Sequence, residues 1–284
     1  MNNEDDMEYY PSALTIAGSD SSGGAGIQAD LRTFAAFGVY GCSAITAVTA
    51  QNPLAVTRVD ALSSDAVVAQ IQAVGDAIEI RAAKTGMLCN AKIINAIVES
   101  LDGINFPLII DPVMIATSGA ELLATDAIDS LKNNLLQLAT WITPNIPEAE
   151  ILTGIKITTQ ADMAKAAMFC ANEWNCSCIV KAGHLEGASN GIATDVVATN
   201  GNIYLLSAPL IENCPATHGT GCTLSAALVS ALALGFHWKK ALKMAKSFVF
   251  GSLTETVPLG PTVEAMYPPS DSYLEKVTLK MIND

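Results

Sequence analysis

From Thr217 to Ala227 the chain reads T-H-G-T-G-C-T-L-S-A-A, a glycine-punctuated turn running into an apolar stretch of helical composition. Gly219 and Gly221, with Thr220 between them, let the backbone aim successive N–H groups at one point. A helix starting near Cys222 adds the positive end of its dipole. Such a junction is a socket for an anion, most often a phosphate. A thiol at its mouth would have its thiolate stabilised, so Cys222 is the one cysteine among seven with a stated reason to be reactive. The competing reading is a loop-to-helix junction whose glycines serve packing alone.

Asp111 follows the apolar run Leu108 to Ile110 and precedes Pro112, which directs its carboxylate off the end of a strand. With Asn145 and Glu148 of T-P-N-I-P-E-A (Thr143 to Ala149) it offers hard oxygen ligands, the kind Mg²⁺ takes when it also holds phosphates and waters. For Glu148 the alternative is a first-turn helix glutamate after Pro147, stabilised by the dipole. Lys181 ends another apolar run, in K-A-G-H (Lys181 to His184), and at a ligand-bearing edge it reaches a phosphate; elsewhere it would be solvated. Gly18 to Gly26, G-S-D-S-S-G-G-A-G, has neither the lysine of a P-loop nor G-x-G-x-x-G spacing, so neither kind of nucleotide site is supported there. Its glycines bring backbone close to a small ligand or form a mobile lid, unless they serve the turn alone. Cys170, Cys176, Cys178 and His184 offer C-x-C without a second matched pair, a poor zinc site. An anion socket, hard-cation ligands and a lysine together point to phosphoryl transfer onto a small molecule, where catalysis is mainly positioning and charge neutralisation.

These residues need a scaffold that gathers them, and the hydrophobic pattern supplies one. Strand-like apolar runs at Ala13 to Ala17, Gly41 to Ala50, Ala82 to Thr85, Leu108 to Asp111, Thr140 to Thr143 and Cys178 to Lys181 are continuous, which suits a parallel sheet covered on both faces. Helical patterns lie between and after them: Ile27 to Phe37, Ser64 to Ile78, Ala91 to Leu101, Glu121 to Leu138, Thr159 to Trp174, Thr223 to Leu234 and Lys239 to Thr254. That alternation is the pattern of a doubly wound sheet. Asn200-Gly201, between Gly191 to Thr199 and Ile203 to Leu206, predicts an antiparallel hairpin. Ligands gather at the carboxyl ends of strands in such sheets, and the polar, glycine-rich segments fall there, including Gln51-Asn52-Pro53 and K-T-G-M (Lys84 to Met87). No linker or repeat divides the chain, which reads as one domain over 1–284 with a loose N-terminus at 1–11 and a C-terminal appendage at 258–284.

The 284 residues are half apolar, enough to bury a large core. A net charge of −13 with only 15 Lys and Arg disfavours nucleic acid and anionic membrane as partners. The longest apolar run, Cys222 to Phe236, carries serines and falls short of the roughly 20 residues of a membrane span. Free thiols without C-x-x-C pairs, and the lack of a secretory leader, predict a cytoplasmic protein.

Read together, the segments A-L-T-I-A-G-S-D-S-S-G-G-A-G-I-Q-A-D-L (Ala13 to Leu31), Y-G-C-S-A-I-T-A-V-T-A-Q-N (Tyr40 to Asn52), K-T-G-M-L, D-P-V-M, T-P-N-I-P-E-A, K-A-G-H and T-H-G-T-G-C-T-L-S-A-A resemble the hydroxymethylpyrimidine/phosphomethylpyrimidine kinases of thiamin biosynthesis, a branch of the ribokinase-like superfamily. The resemblance runs from about residue 13 to 254. It implies a three-layer α/β/α sandwich with a central, mostly parallel sheet. It also implies an ATP- and Mg²⁺-dependent, homodimeric enzyme that phosphorylates 4-amino-5-hydroxymethyl-2-methylpyrimidine to the monophosphate and then to the diphosphate. Carried over by motif, the pyrimidine lies against Gly18, Asp30, Gln51, Met87 and Val113. The amide of Gln51 matches an aminopyrimidine edge with one acceptor and one donor. Asp111 and Glu148 belong to the Mg²⁺–phosphate region with Asn145 nearby, Lys181 and Lys246 to the nucleotide, and Gly219, Thr220, Gly221 and Cys222 to the anion hole. Related sugar kinases carry Asp as the general base where Cys222 stands, so here the thiol does that work or leaves it to another group.

Two departures stand against the resemblance: Ala208 to Thr217 lacks the branch's usual basic residue and N-T-H-G opening, and the tail beyond Gly260 matches poorly. The nearest rival activity is a pyridoxal kinase of the same branch. A rival of another class is a non-catalytic binder of a phosphorylated vitamer.

Overall fold

The computed structural model describes residues 9–115, 122–124, 126–182, 191–214 and 216–282. Its first half runs β1 (Ser12–Ser19), α1 (Gly26–Ala36), β2 (Tyr40–Asn52), β3 (Ala55–Ala61), α2 (Ser64–Gly75), β4 (Ala82–Thr85), α3 (Ala91–Ser100) and β5 (Leu108–Ile110). The middle holds α4 (Ala127–Ser130), β6 (Trp141–Ile142), α5 (Ile146–Thr153), α6 (Gln160–Glu173) and β7 (Ser177–Val180). The rest is β8 (Ile192–Thr199), β9 (Asn202–Pro209), α7 (Thr220–Ala233), α8 (Trp238–Thr254), β10 (Val257–Gly260), β11 (Val263–Ala265) and β12 (Thr278–Met281).

Ten strands form one sheet in the order β12-β9-β8-β7-β6-β5-β4-β1-β2-β3. The central pairings from β7 to β2 are all parallel. Consecutive residues of these strands feed opposite cores: Leu108 and Ile110 pack on one side with α2, α3 and α6 residues, while Ile109 packs on the other with residues of α1, α7 and α8. Burial on both faces explains why such strands read as unbroken apolar runs. The result is a three-layer α/β/α sandwich. Helix α7 is buried on nearly every side, including Leu224, Ala226, Ala227, Leu228 and Val229, and its N-terminus opens at the carboxyl ends of β1, β4 and β5.

The predicted hairpin is present: β8 and β9 pair antiparallel across Asn200 (φ 50°) and Gly201 (φ 71°), two left-handed residues that a two-residue turn of this twist requires. It is not the sole antiparallel element. β3 adds antiparallel to β2 and β12 to β9, each at an edge of the sheet. Both strands are largely exposed and carry polar residues, so neither shows an apolar run. The C-terminal appendage is therefore partly structured, with β10 and β11 forming a small ribbon besides.

Glu121 to Leu138 is not one helix: α4 passes at Leu131 into a π turn and at Leu136 into a 3₁₀ turn, with Leu131, Leu135 and Leu136 buried; Glu121 itself lies outside the described residues. Helix α5 occupies T-P-N-I-P-E-A and its sequel, capped by Asn145 and ended at Gly154. Met1 to Glu8, Gly183 and His184 lie outside the described residues.

Candidate active site

The carboxyl ends of the parallel strands surround a cavity of about 220 Å³. Gly18 reaches it from the end of β1, Asp30 from α1, Gln51 from β2, Met87 from the turn after β4 and Val113 from the turn after β5. Asp111, Asn145, Glu148 and Lys181 form its far wall, and Gly219, Thr220, Gly221 and Cys222 close it from the start of α7. Lys246 is not there. It lines a second cavity of about 320 Å³, mostly apolar, with Leu210, Ile211, Val249, Phe250 and Leu253. Lys181, Thr220 and Gly221 line both cavities. The anion hole thus sits at the boundary between them.

The socket has the form its glycines predict. Gly219 is the N-cap of α7 at φ 85°, and a Cβ there would collide with the Gly24 carbonyl oxygen. The N–H groups of Gly221 and Cys222, in the first turn, have no acceptor within their own helix. A Cβ on Gly221 would stand 3.1 Å from Lys181 Nζ and 3.7 Å from Asp111 Oδ2, so cation, carboxylate and free amides crowd one spot.

Asp111 is buried, accepts from Lys181 Nζ at 2.8 Å and from Thr143 Oγ1 at 3.1 Å. Burial works against its charge, but Lys181 and then Lys84 outweigh it and hold the carboxyl below its ordinary range. Glu148 satisfies both sequence readings. Its Oε2 accepts from Asn145 N–H at 2.8 Å while Asn145 Oδ1 accepts from Glu148 N–H at 2.9 Å, a capping box for α5, yet the carboxylate also faces the cavity. Burial pushes Glu148 up to about 7, Lys181 opposing this and Asp111 adding to it.

Cys222 departs from expectation. The residue is partly exposed, but burial of its thiol pushes it up to about 11; Lys84 and a hydrogen bond from Gly26 N–H draw it the other way, and Asp30 and Asp111 push it higher. A helix N-terminus and one lysine do not offset two neighbouring carboxylates and lost hydration. The free site therefore holds a thiol, not a thiolate. Cys89, Cys176 and Cys178 are no better placed: burial raises Cys89 to about 11, Cys176 to about 12 and Cys178 well above the ordinary range.

The Gly18 to Gly26 turn is tied down, which favours close backbone approach over a mobile lid. Asp20 accepts from Ser22 N–H, Ser22 Oγ and Ala25 N–H at 2.8–2.9 Å, Arg32 donates to Gly23 O at 2.9 Å, and Gly26 packs against the Gly18 carbonyl. Gln51 is tied through its backbone to Ser21, and its side-chain oxygen accepts from Thr49 Oγ1 at 3.2 Å; among the described residues its NH₂ has no partner.

The model of the family described as phosphomethylpyrimidine kinase matches residues 20–267. The chain belongs to this family. A hydroxymethylpyrimidine/phosphomethylpyrimidine kinase of Haemophilus influenzae is 44% identical over 256 residues, covering 89% of this chain and 95% of that one. A phosphomethylpyrimidine kinase structure from Clostridium difficile superposes with a TM-score of 0.74 at 43% identity, over 84% of this chain and 97% of the other. An ADP complex of Bacillus subtilis pyridoxal kinase gives a TM-score of 0.83 at 36% identity, over 92% and 98%. This member of the phosphomethylpyrimidine kinase family is a kinase, with the ribokinase-like fold.

Five side chains of this kinase escaped the sequence reading. His218 and Asp20 pair across the cavity rim. Lys84 and Asp30 pair at its floor, both 0% exposed, and Thr15 Oγ1 takes the second Asp30 oxygen at 2.7 Å. Asp195, from the middle of an apolar strand, accepts from Lys246 Nζ at 2.7 Å and Ala182 N–H at 3.1 Å, coupling the second cavity to the strand end that carries Lys181. A lone buried Asp in an apolar run was its one available signal.

Proposed function

We propose that this kinase transfers the γ-phosphoryl group of ATP to the hydroxymethyl group of 4-amino-5-hydroxymethyl-2-methylpyrimidine, and then phosphorylates the monophosphate to the diphosphate. The observation that carries this is the boundary position of Lys181, Thr220 and Gly221, shared by the cavity that holds the carboxylates and a larger adjoining one. In this reading the pyrimidine occupies the first, with Gln51 matching its amino edge and Met87 and Val113 against the ring. The nucleotide occupies the second, its phosphates leading past Lys246 and Lys181 into the anion hole. The N–H groups of Gly221 and Cys222 then face the charge that grows on the transferring group, where one such donor is typically worth ~10²–10³ in rate.

The donor set fits Mg²⁺. Glu148, raised to about 7 by burial, and Asp111 beside it give two buried carboxylates at the phosphate end. When bound, Mg²⁺ would neutralise phosphate charge there. Asp111 and Glu148 would hold it, whereas the Asn145 side chain is already engaged as a helix cap. Cys222 takes the hydroxyl proton through its minor thiolate form, assisted by Lys84 and Gly26 N–H.

Pyridoxal kinase activity is the second reading, favoured by the likeness to the Bacillus subtilis pyridoxal kinase. Comparing kcat/KM for the two alcohols decides, with the pyrimidine expected to lead. We further infer a cytoplasmic homodimer; among the described residues no helix is long and apolar enough to cross a membrane. Sedimentation velocity checks the dimer.

A further inference from the structure

Lys84 leaves the sheet floor from β4, and its side chain is 0% exposed. An ammonium has three N–H donors. One goes to Asp30 Oδ1 at 2.7 Å, and among the described residues Nζ has no other hydrogen-bond partner. Leaving charged donors buried and unpaired is costly, and a lysine present only to neutralise Asp30 would be expected to have its remaining donors satisfied by protein groups. Lys84 borders the first cavity, so the acceptor those donors lack is supplied by what enters it.

Position narrows the identity of that acceptor. Lys84 and Asp30 line the same cavity as Gly18 and Met87, and the charges of both reach Cys222, at its phosphoryl-transfer end, where Lys84 also acts on Asp111. A donor this near the anion hole meets the substituent of the ring that reaches toward it. We propose that Lys84 is a further catalytic residue, donating from Nζ to the substrate oxygen that receives the phosphoryl group. This rests on the phosphoryl-transfer reading above.

In that step the substrate oxygen bonds to phosphorus as the bond from phosphorus to the leaving nucleoside diphosphate breaks and takes its electron pair. The hydroxyl proton passes to the Cys222 thiolate. Lys84 keeps its own proton and stabilises the oxygen as it loses one. Burial works against charge on Lys84, but Asp30, then Cys222 and Asp111, outweigh it and raise its pKa, so it serves as donor and not as base.

The test uses Lys84→Met and the paired variant Asp30→Asn/Lys84→Met, which leaves no uncompensated charge in the floor and carries the test where the single variant fails to fold. Two ligands are titrated without nucleotide by calorimetry: the hydroxymethylpyrimidine and its 5-methyl analogue, which lacks the oxygen. The expected result is that the wild-type protein prefers the alcohol and the variants lose that preference, while kcat falls by about 10²–10³-fold. Equal loss of affinity for both ligands, or kcat within threefold of wild type, overturns the assignment. If the wild-type protein does not turn over the hydroxymethylpyrimidine, the functional reading fails, and the binding comparison still decides whether Lys84 contacts the oxygen.

Discussion

Asp20 Oδ2 and His218 Nε2 meet at 2.8 Å although 198 positions separate them, joining the turn after β1 to the turn that opens α7. The same carboxylate caps its own turn through Ser22 and Ala25, and together these bonds hold Asp20 below the ordinary carboxylate range against its burial. The turn after β1, at the cavity rim, is thereby tied to the turn that carries the anion hole.

Breaking that contact separates two effects. His218→Ala removes only the cross-link, and kcat falls by about 10–100-fold as the anion hole loses its register. Asp20→Ala also strands buried N–H groups and costs about 1–3 kcal/mol of stability. Steady-state kinetics and thermal denaturation of both variants check this; unchanged kcat in His218→Ala shows that the α7 turn needs no support.

Glu148 makes stability and metal affinity depend on pH in opposite senses. Its folded pKa of about 7 lies above the ordinary 4.5, so between those values the folded state holds a proton the unfolded chain has lost, and stability falls as pH rises through that window. Mg²⁺ needs the ionised form, so its affinity rises with pH up to about 7 and then levels. Thermal shifts on adding Mg²⁺ should be larger above that window than within it, and Glu148→Gln should abolish the difference.

Cys222 should be slow toward iodoacetamide near neutrality despite its place at a helix N-terminus. Mapped by mass spectrometry, its alkylation rate should rise about tenfold per pH unit toward a pKa near 11. Cys222→Ser should keep the fold and lose about 10²–10⁴ in kcat. Rapid alkylation at neutral pH would show a stabilised thiolate instead.

Gly221 and Gly219 should fail differently. Gly221→Ala folds but pushes a methyl group to 3.1 Å from Lys181 Nζ, and kcat falls by about 10²–10³-fold. Gly219→Ala combines φ 85° with a clash on the Gly24 carbonyl, so its loss appears first in stability, by at least about 1–3 kcal/mol. Circular dichroism melts beside kinetics distinguish the two.

The central strands were legible because burial on both faces leaves unbroken apolar runs such as Leu108 to Ile110, and the anion hole because Gly219 and Gly221 leave a local trace. Edge strands β3 and β12 pair on one side only and bear polar, exposed residues, so no pattern marks them. Helix α5 hides in T-P-N-I-P-E-A because its evidence is a cap, not a period. Asp20–His218, Asp30–Lys84 and Asp195–Lys246 each join distant segments, and pairing across such separations leaves no local signal. The Cys222 thiol was misread for the same reason: the helix start is local, but the carboxylates that oppose it come from elsewhere.

The most direct measurement follows purified protein with ATP, Mg²⁺ and 4-amino-5-hydroxymethyl-2-methylpyrimidine by ³¹P NMR. The account predicts a monophosphate ester first and a diphosphate after it, with ADP formed in step. ADP formation no faster than the background without the pyrimidine, and no phosphorylated pyrimidine, would contradict it.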